Sequence, residues 1–166
     1  NFHDGMAYAN WFTTAANHPV TAVDLATSAG ILWVNAAGNE QLQHTLIDWR
    51  DGNADTAIDW NSDYDAFNIL YLNGSDTIPA GTVLDLYMTW NEWPTTSQDF
   101  DLQLYYWTGT AWSRVTTGYI DDWYGDDTQN GTTVPYPYEE IINVAPYTAT
   151  YAVVVKSWST TTTPKF

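Results

Sequence analysis

In two stretches between residues 82 and 107, apolar side chains recur at every second position. In "TVLDLYMTW" (82–90), Leu84, Leu86, Met88 and Trp90 alternate with Val83, Asp85, Tyr87 and Thr89. In "DFDLQLYYW" (99–107), Phe100, Leu102, Leu104 and Tyr106 alternate with Asp101, Gln103, Tyr105 and Trp107. Successive residues of a strand point to opposite faces, so a period of two predicts strands with one face turned inward. "FNILYL" (67–72), "YEEIINV" (138–144) and "TYAVVVKSW" (150–158) supply further strands. Turn chemistry separates them at Asn73-Gly74, Pro79-Ala80-Gly81, Thr108-Gly109-Thr110 and Asn130-Gly131. Short alternating strands with regular turns predict an antiparallel β-sandwich or jelly roll over residues 46–166. No internal repeat is evident, and "STTTTP" near the end is the one low-complexity piece.

Residues 1–45 follow a different pattern. "NHPVTAVDLATSAG" (17–30) reads as a helix with Asn17 as cap and Pro19 in the first turn. Val20, Val23, Leu25 and Ala26 make its apolar side, and Gly30 stops it. The run "ILWVNA" (31–36) then has the length and continuous apolarity of a strand covered on both faces. Helix, glycine and buried strand make half of an α/β unit, which cannot bury its own faces.

Charge narrows the partners. The chain carries 20 acidic residues against 4 basic ones, a formal net charge of -16. Phosphate backbones and anionic membrane faces repel such a surface, so neither nucleic acid nor a membrane is an expected partner. Cations are. All but four of the acids are Asp, which favours turns and metal-binding loops over helices. The absence of cysteine rules out disulfides and thiolate metal sites. No apolar run is long enough to cross a bilayer. Ten Trp, twelve Tyr and many Thr give the chain the composition of a secreted, β-rich protein. Asn73-Gly74-Ser75 and Asn130-Gly131-Thr132 fit a glycosylation pattern, but Asn-Gly is first of all a turn. A start on Asn1 and an end just after a core-like strand suggest a piece of a longer protein.

"AVDLATSAGILWVNAAGNE" (22–40) resembles the segment of subtilisin-like serine peptidases that carries their oxyanion-hole asparagine. In that family a helix leads through glycine into a buried strand ending in Ala-Ala-Gly-Asn, and Asn39 falls on the asparagine. An amide held at a strand's end can donate to the negative charge that develops on a carbonyl oxygen. Such a donor contributes about 3–4 kcal/mol of transition-state stabilisation. The resemblance covers roughly residues 4–40. The remainder is similar to a pre-peptidase C-terminal type of β-sandwich, which some bacterial subtilases insert after this asparagine. The order of the acidic stretch 48–65, "LYMTWNEW", "DFDLQLYYW", "PYPYEEIINV" and "ATYAVVVKSW" carries that likeness. The family's Asp-Thr/Ser-Gly, His-Gly-Thr and Gly-Thr-Ser motifs are absent, and His3, His18 and His44 are followed by Asp, Pro and Thr. A hydroxyl without a base is a poor nucleophile, so these residues alone should not cleave peptides.

The acidic stretch places Asp48, Asp51, Asn53, Asp55, Asp59, Asn61, Asp63 and Asp65 within one loop. Hard oxygens at alternate positions of a turning chain suit Ca²⁺, which takes six to eight oxygen ligands. Asp59-x-Asn61-x-Asp63 resembles the start of a calcium loop, without the glycine and distal Glu of an EF-hand. The plainer reading is a solvated acidic loop. Asp99 and Asp101, with Glu139 or Glu140, make a second acidic set; a cross-strand carboxylate pair needs a proton or a cation unless it faces water at a sheet edge, which is the expectation here. Asp121 to Asp127 ("DDWYGDD") reads as a solvated turn, and no carboxylate pair is fixed at a glycosidase separation. Trp90, Trp93, Trp107, Trp112 and Trp123 lie near expected strand ends, where indoles can stack on sugars or pack the core.

The sequence therefore predicts a mostly β protein with two parts. Residues 1–45 form a helix–strand segment of an α/β subtilase catalytic domain, and 46–166 an inserted sandwich. As part of a secreted endopeptidase, the chain would meet peptide substrates through Asn39, with calcium ordering the long loop. The rival is a non-catalytic extracellular module that assembles into a homo-oligomer or filament, or binds carbohydrate.

Overall fold

The alternation of Leu102 and Leu104 with Gln103 and Tyr105 is realised as a strand of nine residues, Asp99–Trp107, lying against an eleven-residue strand, Ala149–Ser159. The computed structural model describes residues 19–34, 45–90, 96–121 and 137–159. The chain divides by its contacts into two units, Asn1–Leu46 and Ile47–Phe166.

In the first unit the described elements are a helix, α1 (Pro19–Ser28), and the extended run after it. Gly30 takes φ +76°, which only glycine adopts without a Cβ penalty. Its amide donates to the Thr27 carbonyl at 3.0 Å, and the Ile31 amide donates to the Ala26 carbonyl at 2.9 Å. These two bonds are the Schellman pattern, and they cap carbonyls that the helix end would otherwise leave unpaired. The cap assigned to Asn17 lies outside the described residues. The run expected to be a buried strand is not buried: Ile31 and Trp33 are exposed, Leu32 is 85% exposed and Val34 81%. Among the described residues no strand pairs with it.

Among the described residues of the second unit there are eight strands. They are β1 (Asn68–Ile69), β2 (Thr77–Ile78), β3 (Val83–Thr89), β4 (Asp99–Trp107), β5 (Trp112–Arg114), β6 (Tyr119–Asp121), β7 (Tyr138–Val144) and β8 (Ala149–Ser159). One sheet runs β1-β8-β4-β5, with β2 also on β8; the other runs β3-β7-β6, and every pairing is antiparallel. Leu84 and Met88 of β3 and Ile141 of β7 meet Phe100, Leu102 and Leu104 of β4 and Tyr151, Val153 and Val155 of β8 in one core. Trp90 packs edge-on to Phe100 with ring centroids 5.2 Å apart, and its Nε1 donates to Thr96 Oγ1 at 3.0 Å. The architecture is the expected antiparallel sandwich. Burying these aliphatic and aromatic side chains contributes roughly 1.5–3 kcal/mol each.

One expected element is much shorter than its pattern. "FNILYL" shrinks to the two residues of β1, because Leu72 and Ser75 pair across a tight turn in which Asn73 (φ 52°) and Gly74 (φ 82°) are both left-handed. That is the turn that Asn-Gly favours, so the Asn73 side of the glycosylation alternative is a hairpin tip. Tyr151, wholly buried, donates its hydroxyl to the Tyr147 carbonyl at 2.8 Å and accepts from the Tyr147 amide at 3.1 Å, pinning the turn before β8. Burial raises the Tyr151 phenol above its ordinary pKa.

Gly118 generates a prediction. Its φ is +82°, its carbonyl accepts from the Val144 amide at 2.7 Å, and a Cβ there would collide with the Val144 carbonyl oxygen. Gly118→Ala should therefore destabilise the chain by about 1–3 kcal/mol, read as a lower denaturant midpoint with an unchanged slope.

Candidate functional site

The loop between Ile47 and Phe67 hangs on β8. Ser157 donates its amide to the Thr56 carbonyl at 2.8 Å, the Ile58 amide donates to Val155 at 3.0 Å, and Ala57 bridges to Lys156. Ile58 is buried in the core and Trp49 packs on Phe100 at 5.2 Å, so the loop is fastened by apolar side chains on either side of its acids.

Most of those acids cap the loop's own backbone. Asp51 accepts the Asp55 amide on Oδ1 and the Thr56 amide on Oδ2, both at 3.0 Å. Asn53 Oδ1 accepts the Asp55 amide at 3.3 Å, and Asp55 Oδ1 accepts the Ala57 amide at 2.8 Å. Ten residues on, the arrangement recurs. Asn61 Oδ1 accepts the amides of Asp63 at 2.9 Å and Asp65 at 3.3 Å, and Asp65 Oδ1 accepts the Phe67 amide at 2.9 Å. Ala54 (φ 60°) and Tyr64 (φ 61°) occupy matching left-handed positions in the two turns. Side-chain oxygens taking amides two to five residues on is the chemistry that makes Asp and Asn turn residues.

Asp59 stands between the two turns and differs from every other acid in the loop. It is 2% exposed. Its backbone pairs with Arg50, the Asp59 amide donating to the Arg50 carbonyl at 2.8 Å and Arg50 Nε donating to the Asp59 carbonyl at 2.7 Å. Its Oδ2 accepts the Gly52 amide at 2.6 Å, while its buried Oδ1 has no hydrogen-bond partner. Gly52 lies close under Tyr64: a Cβ there would lie 2.5 Å from Tyr64 Cε1, so any larger residue must displace that ring.

Of the residues expected to bind metal, the structure links Asp51, Asn53 and Asp55 in the first turn and Asn61 and Asp63 in the second, ties Asp59 to Gly52, and leaves Asp48 exposed at the loop's head. Among the described residues no three His, Cys, Asp or Glu side chains converge as a metal-binding group. Asn39, the three histidines, Trp93, Trp123 and residues 122–127 lie outside the described residues.

The second acidic set differs from expectation. Asp99 and Asp101 lie in the larger sheet and Glu139 in the smaller one, so they are not on neighbouring strands. Nor do they face water: Asp101 is 4% exposed and Glu139, opposite Met88 on the inward face of β7, is wholly buried. Alternation alone could not reveal this, because it tells which residues share a face and not whether that face is covered. Along β4, Tyr105 donates its hydroxyl to Gln103 Oε1 at 3.1 Å, and Gln103 Nε2 and Trp158 Nε1 both donate to Asp101 Oδ2. On the outer face of the smaller sheet Tyr87 sits opposite Glu140; burial and hydrogen bonds with Glu140 and Asp85 push its phenol far above the ordinary value.

The tryptophans divide. Trp90 is core, Trp112 is stacked on Phe67 at 4.8 Å, and Trp107 packs edge-on to Trp112. Trp158, which the sequence reading did not single out, is 71% exposed.

No protein-family model, curated protein or solved structure matches the chain.

The capping role of the acids predicts a contrast at Asp65. Asp65→Asn keeps the oxygen that holds the Phe67 amide and should change stability by a few tenths of a kcal/mol at most, whereas Asp65→Ala should cost about 1 kcal/mol, both by denaturant titration.

Proposed function

We propose that the chain is part of a secreted subtilisin-like serine endopeptidase, in which residues 1–45 belong to the catalytic domain and the sandwich is an accessory insertion with a calcium-ordered loop. The observation that supports the peptidase part is the pairing of a glycine-capped helix with an exposed apolar run. Gly30 turns α1 directly into Ile31–Val34, whose side chains are exposed. Four consecutive apolar residues suit the interior of a parallel sheet with both faces covered, and a catalytic domain around them would supply that cover. The signature asparagine follows five residues after Val34.

In this reading Asn39 donates its side-chain amide to the oxyanion of the tetrahedral intermediate, while the nucleophile and its base come from elsewhere in the parent enzyme. The amide binds the transition state more tightly than the substrate, so its removal lowers turnover and leaves substrate affinity nearly intact.

A second reading, carbohydrate binding, has one observation in its favour. The Trp158 indole is exposed while its Nε1 is held by buried Asp101, which fixes the ring as a flat apolar surface. Retardation of the chain in a neutral polysaccharide gel, abolished by Trp158→Ala, is the result this second reading requires.

For the peptidase reading, Asn39→Ala in the intact parent enzyme should lower kcat by about 10²–10³-fold with KM little changed. Unchanged kcat would reject the assignment.

A further inference from the structure

We propose that the buried carboxylate of Asp59 is the anchoring ligand of a calcium ion held against the first acidic turn. The inference rests on the calcium part of the reading above and is independent of the peptidase part. Three observations carry it. First, Asp59 is 2% exposed and its Oδ1 has no hydrogen-bond partner, so one oxygen of a buried carboxyl group is left unsatisfied. A buried carboxylate with a single amide donor is costly unless a cation completes it.

Second, the two basic side chains beside the loop hydrogen-bond backbone carbonyls and not the Asp59 carboxylate. Arg50 Nε donates to the Asp59 backbone carbonyl and Lys156 Nζ to the Asp55 carbonyl at 2.9 Å. Both are held beside the acids, yet neither is directed at the Asp59 carboxylate. Third, Asp59 is tied through Oδ2 to the first acidic turn, which carries hard oxygens. Gly52, whose amide holds Oδ2, is flanked by Asp51 and Asn53. Their side-chain oxygens accept amides from Asp55 and Thr56, and each oxygen has a second lone pair for a cation.

Among the described residues no three acidic groups converge. The ligand set is therefore mixed: the Asp59 carboxylate, side-chain oxygens of the first turn, backbone carbonyls and water. Calcium tolerates such an irregular set, whereas magnesium demands a near-octahedral one. With few charged ligands, the affinity falls in the range of extracellular modules, about 0.1–1 mM.

The test is thermal unfolding of the full chain and of Asp59→Asn, which keeps an oxygen for the Gly52 amide and removes the charge. Each is melted in excess chelator, in calcium, and in magnesium at the same concentration and ionic strength. Calcium at about ten times its dissociation constant should raise the wild-type Tm by roughly 3–6 °C, and magnesium by much less. Asp59→Asn should lose the calcium shift and, in chelator, melt at or above the wild type because an uncompensated buried charge is gone. No calcium shift in the wild type, an equal shift with magnesium, or a shift retained in Asp59→Asn would each overturn the proposal. Should Asp59→Asn not fold, calorimetric titration of the wild type with calcium decides: one site saturating in the stated range supports it, and no heat of binding rejects it. None of these results bears on Asn39.

Discussion

The backbone of Ala149–Ser159 has two hydrogen-bonding edges, and the sandwich is organised around filling both. β4 runs along one edge over nearly its whole length. β1, β2 and the loop segment at Ala57 take successive portions of the other. Unpaired amides and carbonyls are costly once buried, and the run Tyr151–Val155 is buried on both faces. Strand β8 can therefore be buried only if every partner arrives in register. Tyr151 fixes the turn that sets that register, and the side chains beside it, Val153 and Val155, complete the core.

Because a piece of the acidic loop is one of those partners, the loop inherits the sheet's constraint. Residues 56–58 must present their backbone to Val155, Lys156 and Ser157, and Ile58 must enter the core. Asp59 follows immediately and is carried inward with Ile58. Its burial is thus a consequence of strand pairing two residues earlier. The flanking acids remain at the surface, where their oxygens fold the chain on either side. Six aspartates and one arginine between residues 48 and 65 would otherwise repel one another. A cation at Asp59 would relieve that repulsion at the one point where water cannot.

The sandwich was legible in the sequence because two of its long strands alternate cleanly, Leu84 to Trp90 and Phe100 to Tyr106, while Tyr151 to Val155 is the continuous apolar run of a strand covered on both faces. The turns were legible for the same chemical reason that they form, as Asn73-Gly74 illustrates. The site was less so. Spacing acids at positions i, i+2 and i+4 satisfies loop amides as well as it ligates a metal, so Asp51-x-Asn53-x-Asp55 and Asn61-x-Asp63-x-Asp65 have two chemical meanings with one pattern. What separates them is burial, which depends on the long-range pairing of Ala57 with Lys156. The covered outer face of β4 was hidden likewise, since Asp101 looks solvent-facing until Trp158, more than fifty residues away, is brought onto it.

The central functional claim is that the amide of Asn39 meets an anionic intermediate. The most direct measurement is a crystal structure of the parent enzyme with a peptide-based inhibitor bound covalently as a tetrahedral adduct. The account predicts Asn39 Nδ2 at about 2.7–3.1 Å from the adduct's oxyanion, at the carboxyl end of a strand that includes Ile31–Val34. An Asn39 enclosed by hydrocarbon, with no substrate groove within its reach, would contradict it.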